Sequence, residues 1–451
     1  MVKSRILLRP QVIRSKKQLP MPQFIHLHNH THYSLLDGAA TPERLLKAAS
    51  AQGHTTPLTV LDTFAGAGGF SLGFALAGCN IGGAIEIDKW AAETFQYNHS
   101  EAQMLIGAIE QYSDAEIQEH FLSVHPDILL GGPPCQGFSI ANKQAGDPSD
   151  PRNSLFMEFI RIARLLSPQY LVLENVPNIT KSKNHSGELI VDIMKREIEA
   201  LGYVVYQAIL DATHFGIPQI RKRFFLIASR HEIAQPFPKA THHCNDDKTT
   251  LFESTTIPCP TLWDAISDMP LIEAGEGSEE MHYLHPSQNS YQELLRQSAT
   301  MVHNHKAMKH SKRMVERFAS MSWGDSTADV PEHLRPFARN SNGSISEKIY
   351  DQNNRRMYPH KPCHTIPASF YANFVHPYLH RNFTAREGAR IQSFPDWYVF
   401  KGKPTVVSHK LLQREGRADE KYLCQYSQIG NAVPPLMAKA IANNLLQQIK
   451  R

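Results

Sequence analysis

Apolar positions in this chain come in two patterns, short unbroken runs and longer stretches of helical period. Leu58-Thr59-Val60-Leu61, Ile81-Gly82-Gly83-Ala84-Ile85, Asp127-Ile128-Leu129-Leu130, Tyr170-Leu171-Val172-Leu173-Glu174-Asn175-Val176 and Phe224-Phe225-Leu226-Ile227 read as strands. Unbroken runs of this kind belong to strands covered on both faces, as in parallel sheets. The segment Pro434–Lys450 reads as a helix. Two prolines open it, and Met437, Ile441, Leu445 and Ile449 recur at four-residue spacing to pack it on the sheet. His310–Ala319 reads as another helix, with Met314, Val315 and Phe318 inward. The pattern predicts an α/β fold with a mostly parallel sheet and helices on both faces. In such sheets ligands bind outside the carboxyl ends of the strands.

Size and composition narrow the class. At 451 residues the chain can hold one large α/β domain and a smaller one. Its 41% hydrophobic and 20% charged content is that of a soluble globular protein, and a cytoplasmic location is expected. No apolar run approaches the ~20 residues of a membrane span. Six scattered cysteines without a Cys-x-x-Cys pair argue against a zinc ribbon or a disulfide scaffold, and no metal is expected. The net charge of +4 is mild but unevenly placed: Arg296–Lys361 carries twelve Lys/Arg against six Asp/Glu. That stretch suits either a solvated surface or a phosphate-facing one.

Candidate chemistry sits where strands end. Gly131-Gly132-Pro133-Pro134-Cys135-Gln136-Gly137-Phe138-Ser139 follows a strand and presents one cysteine behind a double proline, on a loop with few shapes available. Asp62-Thr63-Phe64-Ala65-Gly66-Ala67-Gly68-Gly69-Phe70 is a glycine-rich strand-to-helix turn, and Glu86 closes the next strand about 20 residues on, placed to accept from a ribose. The Gly-x-Gly-x-x-Gly spacing is absent, which favours S-adenosylmethionine over a dinucleotide. Glu174 ends an apolar strand and should titrate high. Gln219, Arg221 and Arg223 share one strand face, suited to a phosphate or a polar base edge.

These motifs, together with Arg381–Pro395 and Gln428-Ile429-Gly430-Asn431-Ala432-Val433-Pro434-Pro435 in the same order, resemble the DNA (cytosine-5)-methyltransferases over roughly residues 58–451. The resemblance implies a Rossmann-like S-adenosyl-L-methionine-dependent methyltransferase domain, residues 57–230 and 376–451. A target-recognition domain at 231–375 is implied between them. Cys135 would add to C6 of a cytosine flipped out of double-stranded DNA, and Glu174 would serve N3. Arg221 and Arg223 would hold the nucleotide and the Cys135 loop. The cofactor set would be Phe64, Ala65, Gly66, Gly68, Gly69, Glu86, Ile87, Pro133, Asn431 and Ala432. DNA contacts would include Gln136, Ser139, Arg339, Asn342, Arg355 and Arg356, while Arg386–Pro395 would be architectural. A monomer is expected, with a restriction endonuclease as functional counterpart. A tRNA cytosine-5 enzyme of the same fold and a non-catalytic DNA-binding relative are the alternatives. One departure stands out: Ala108 occupies the position of the family's acid for the adenine amino group, leaving Glu110 or Asp114 as substitutes.

Residues 1–56 read as an extension. Phe24-Ile25-His26-Leu27-His28-Asn29-His30-Thr31-His32-Tyr33-Ser34 resembles the opening of a PHP phosphoesterase domain, as at the start of bacterial polymerase α subunits. The likeness stops near Pro57, too short for a full set of ligands.

Overall fold

The computed structural model describes residues 57–449 except 135–154, 185, 245–255, 298, 339–343, 347–350, 352, 406–408 and 417–421. The PHP-like segment, Cys135, Gln136, Ser139, Arg339 and Asn342 therefore lie outside the described residues. By its contacts, the chain from Pro57 to Arg451 forms one unit.

Its centre is a seven-stranded sheet of β1 (Thr59–Asp62), β2 (Asn80–Glu86), β3 (Gln103–Ile106), β4 (Ile128–Gly131), β5 (Tyr170–Asn175), β6 (Val204–Asp211) and β8 (Lys222–Ser229). The order is β3-β2-β1-β4-β5-β8-β6. The first five are mutually parallel, and β8 runs antiparallel to both its neighbours. The expected mostly parallel sheet is what the chain forms.

Alternate strand residues feed two apolar layers, as the two-residue period of a strand requires. Val60, Ala84, Ile128, Leu130, Val172, Phe225 and Ile227 pack on one side with Met437, Ile441 and Leu445. Helices α1 (Gly69–Leu76) and α2 (Lys89–Asn98) contribute Phe70, Phe74 and Phe95 to that layer. Leu61, Ile85, Leu129, Leu171, Leu173, Phe224 and Leu226 face the other side. There they meet α3 (Asp114–His120), α4 (Leu155–Leu166) and α5 (Ile190–Glu199).

The middle of the chain is built from short pieces: β7 (Gln219–Ile220), α6 (Leu262–Ile266), α7 (Ser290–Arg296), α8 (Lys312–Ala319), and the two-residue strands β9 (Arg355–Arg356) and β10 (Cys363–His364). Leu262, Ile266, Leu295, Met357 and Ile366 share one core with Phe383, Ile391, Phe394, Tyr398 and Tyr426. The edge expected near residue 375 thus falls inside a common core. Within it α9 (Ala385–Ile391), opened by a Thr384/Glu387 capping box, carries arginines with no solvent exposure. Arg390 pairs with Asp268 and Asp396, and Arg386 donates to the Pro395 and Tyr398 carbonyls. Arg381 is paired with Glu387. All three guanidinium groups are engaged inside this core.

α10 (Gln425–Asn431) and α11 (Pro435–Ile449) close the chain against the start of the fold. α11 packs on α1 so tightly that a Cβ at Gly73 would sit 2.3 Å from Ala438 Cβ and 2.6 Å from the Pro435 carbonyl oxygen. Backbone cannot yield as a flexible side chain can. Gly73→Val is therefore expected to cost at least the ~1–3 kcal/mol of an overpacked core. Chemical denaturation of the two proteins measures it, and an unchanged midpoint would refute this contact.

Candidate active site

A cavity of about 900 Å³ opens at the carboxyl ends of β1, β2, β4 and β5, where the parallel order predicts a ligand. Every expected cofactor residue except Gly68 lines it, together with Glu174, Arg221 and Arg223.

The glycine turn forms its floor. Gly66 and Gly68 have φ of +53° and +85°, the left-handed region that suits glycine. Gly66 N–H donates to Glu86 Oε2 at 2.7 Å, and Asp88 N–H donates to Oε1 at 2.8 Å. Open space surrounds the Cβ position of Gly66. Gly68 sits behind the turn as the N-cap of α1, its Cβ position blocked 2.5 Å away by the Tyr398 hydroxyl. That hydroxyl donates to the Ala67 carbonyl at 2.6 Å. Gly69 allows the Val433 carbonyl to approach from the other chain end, where Asn431 and Ala432 also reach the cavity.

Burial raises Glu86 to about 7, although two backbone N–H groups pull it down. Asp62 behind it is raised to about 6 for the same reason, with the Ser71 hydroxyl and the Phe64 amide pulling it back.

The opposite wall is the candidate catalytic face. Arg223 Nε lies 2.8 Å from Glu174 Oε1. Burial pushes the Glu174 carboxyl up, while the Arg223 and Arg221 charges pull it back. The Cβ position of Gly132, three residues before Cys135, is 3.6 Å from Glu174 Oε2. Asn175 Nδ2 donates to the Pro133 carbonyl at 3.1 Å, fastening the start of the Cys135 loop to β5.

Arg221 is 2% exposed and works on the walls themselves. It donates to the carbonyls of Ile366 (2.9 Å), Gly430 (2.9 Å) and Ala432 (3.2 Å). Gln219 completes this seam through Ile366 N–H and Gln392. β10 pairs with β7 in register, Cys363 to Gln219, and this carries Thr365–Ala368 into the cavity wall. Sequence reasoning missed that segment, which carries no motif; the proline-bounded Cys363–Pro367 run is the one signal available.

At the departure position, Ala108 lies in the wall with Gly107, Ile109 and Glu110. Asp114 is not part of the wall and is paired with Arg161 at 2.5 Å. Glu110 is thus the carboxylate available on this side.

The expected DNA contacts fare differently. Arg356 is 3% exposed, and its guanidinium is consumed by the Phe318, His376 and Pro377 carbonyls. Arg355 donates to the Gly324 and Asp351 carbonyls. Both fasten the chain locally.

A family model for C-5 cytosine-specific DNA methylases matches residues 58–447. The chain belongs to the C-5 cytosine-specific DNA methylase family. The Type II methyltransferase M.DdeI of Desulfomicrobium norvegicum is 43% identical over 388 residues, 86% of this chain and 88% of that one. M1.HphI of Haemophilus parahaemolyticus is 34% identical over 86% of this chain and 87% of its own. Among solved structures, an E. coli prophage protein described as a candidate DNA modification methyltransferase superposes with a TM-score of 0.65 at 25% identity, covering 87% of this chain and all of that one. The fold is also that of the S. pombe Dnmt2 methyltransferase, with a TM-score of 0.51 at 17% identity over 87% of this chain and all of that one. As a family member the chain is a DNA cytosine-C5 methyltransferase. No helix among the described residues is long and apolar enough to cross a membrane.

Proposed function

We propose that this chain methylates C5 of a cytosine flipped out of one short sequence in duplex DNA, as the modification half of a Type II restriction-modification system. The observation that supports this most strongly is the single cavity on which the glycine turn, Glu86, the Gly132–Pro134 loop entering Cys135, and the Glu174–Arg223 pair all converge.

The residues present fit S-adenosylmethionine. Gly66 leaves room for close backbone approach, and Glu86 spends one bond per oxygen on backbone, leaving acceptor capacity for ribose hydroxyls. Phe64 offers a ring, and Asn431 and Ala432 close the methionine end. Glu110 stands in for the acid missing at Ala108, facing the adenine side. When bound, the cofactor supplies an electrophilic methyl group.

The protein's work is to make C5 of cytosine nucleophilic. The Cys135 thiolate adds to C6, and Glu174 shares a proton with N3 so that charge does not accumulate in the ring. Arg223 keeps Glu174 oriented, and Arg221 holds the cavity walls at their working separation. Once C5 carries the methyl group its proton passes to solvent, the electrons of the C5–H bond re-form the 5,6 double bond, and the C6–S bond breaks to return Cys135 as thiolate. Bisulfite sequencing of DNA from a methylation-free host expressing the chain tests the substrate: protected cytosines in one recurring sequence are expected. Protection in tRNA alone would move the substrate to RNA.

Because Glu86 titrates near 7, cofactor affinity carries a pH dependence. The ionised form accepts from hydroxyls, and protonation removes acceptor capacity. Lowering the pH from 8 to 6 is therefore expected to weaken S-adenosylmethionine binding about tenfold, as a group titrating near 7 requires. Calorimetric titration at both pH values, with Glu86→Gln as the pH-insensitive control, measures this. Equal affinities in the wild type would remove Glu86 from the ribose site.

A further inference from the structure

Two cysteines left out of the proposed chemistry lie side by side. The two-residue strands His242–His243 and Ile257–Pro258 run parallel, with Ile257 opposite His242 and Pro258 opposite His243. The ladder continues past them. The Ile257 amide donates to the Thr241 carbonyl at 3.1 Å, and the Cys259 amide donates to the His243 carbonyl at 2.9 Å. In a parallel ladder those two bonds put Cys259 opposite Cys244, on the face shared by Ile257 and His242. The two thiols are in hydrogen-bond contact. Neighbouring strands lie roughly 4.7–4.9 Å apart, inside the roughly 4.4–6.8 Å between Cα atoms that a disulfide spans.

Their surroundings differ in the way a reactive pair requires. Cys259 is buried, and its thiol donates to the Ile217 carbonyl at 3.2 Å. Its contact with Cys244, together with burial, holds that thiol above the ordinary range. Cys244 is half-buried and so within reach of a small solute. An accessible thiol that meets an oxidant first, with a second thiol beside it to resolve the product, is the arrangement of redox-sensitive cysteines.

The frame around them is fixed and leads towards the active cavity. The Thr241 amide donates to the His214 carbonyl at 2.9 Å. The His242 ring covers Gly216, where a Cβ would sit 2.7 Å from His242 Cε1. The Ile217 carbonyl that accepts from Cys259 also accepts from the Gln219 amide at 2.7 Å, and Gln219 holds the Ile366 amide of the cavity wall. Neither cysteine lines the cavity, so the pair is independent of the proposed methyl transfer.

We infer that Cys244 and Cys259 form a reversible redox site that reacts with hydrogen peroxide. The Cys244 thiol gives up its proton, and the thiolate sulfur attacks one peroxide oxygen. The O–O bond breaks, Cys244 becomes a sulfenic acid, and the departing hydroxide takes up the released proton as water. The Cys259 sulfur then attacks Cys244 Sγ. The S–O bond breaks, and the second hydroxide leaves with the Cys259 proton as water. Two thiols are thereby oxidised to one disulfide, and one peroxide is reduced to two waters. Oxidation removes the S–H that the Ile217 carbonyl accepts, and a thiol reductant restores it.

Full-length protein treated with hydrogen peroxide, alkylated and digested with trypsin without reduction tests this. Cleavage after Lys239, Lys248 and Arg296 leaves Cys244 on peptide 240–248 and Cys259 on peptide 249–296, one cysteine in each. The two peptides are expected as one linked species, lighter than their sum by two hydrogen atoms and separated by dithiothreitol. Its rate of formation should not change when the protein is diluted. Cys244→Ser is expected to lose the linked species while keeping the wild-type thermal midpoint. Peptides that stay separate while Cys244 passes on to sulfinic acid would overturn the inference. So would both thiols remaining unreacted when Cys135 is fully oxidised, a disulfide from either cysteine to Cys135, or a link formed only between two protein molecules.

Discussion

Cys135→Ala is expected to abolish methyl transfer while leaving S-adenosylmethionine affinity within about twofold of wild type. The reason lies in the substrate. C5 of a neutral cytosine has too little electron density to attack a methyl group, and addition of a thiolate at C6 converts it into an enamine carbon. No other described group replaces that step. The remaining cysteines in the described structure are elsewhere: Cys79, Cys259, Cys363 and Cys424 are buried, Cys244 is half-buried, and none of the five lines the active cavity. Burial pushes the Cys79 thiol up to about 12 and raises that of Cys363 as well, so neither is poised as a nucleophile. Single-turnover transfer with labelled cofactor gives the rate, and calorimetry gives the affinity. Turnover retained by the alanine variant would remove Cys135 as nucleophile.

Glu174→Gln is expected to slow the chemical step by at least the ~10²-fold typical of general acid catalysis, with a smaller effect on KM for DNA. The glutamine keeps the size and one acceptor but cannot exchange a proton. Two opposing influences set this carboxyl. Burial favours the protonated form, and Arg223 at 2.8 Å, with Arg221 behind it, favours the ionised one. The balance falls above the usual carboxylate range, which keeps a proton accessible when N3 needs it. The variant leaves Arg223 facing a neutral amide, so its thermal midpoint must be measured alongside. A change confined to KM, with kcat intact, would show that Glu174 only binds.

The sheet was legible in the sequence because strands covered on both faces must be apolar throughout, and β1, β2, β4, β5 and β8 all carry that mark. Observed boundaries differ by a residue or two, as with Tyr170–Asn175 against the expected Tyr170–Val176. The glycine turn was legible because a positive φ at Gly66 and the close approach of the Val433 carbonyl to Gly69 leave room for little else. Gly68 shows the limit of that reasoning: its glycine answers to Tyr398, 330 positions away in sequence (398 less 68), and not to the cavity.

The middle of the chain was far less readable. Its elements are two to eight residues long, too short to show a period, and they find their core partners in residues 383–429. Arg356 resembles a base reader by residue type, and only the fold reveals that it is buried against carbonyls. The reading of Cys135 itself rests on its motif and on the described residues that frame it: Gly132, Pro133, Asn175 and Glu174.

Covalent attack by Cys135 on a cytosine in DNA is the step on which the other proposed roles depend. Incubating the protein and S-adenosylmethionine with a duplex carrying 5-fluorocytosine at the modified position tests it directly. Fluorine replaces the C5 proton whose loss releases the enzyme, so a complex is expected that survives denaturation, forms only with cofactor, and maps to Cys135 by peptide mass. A wild-type protein that methylates the unfluorinated duplex but leaves no such adduct, or an adduct on another residue, would contradict it.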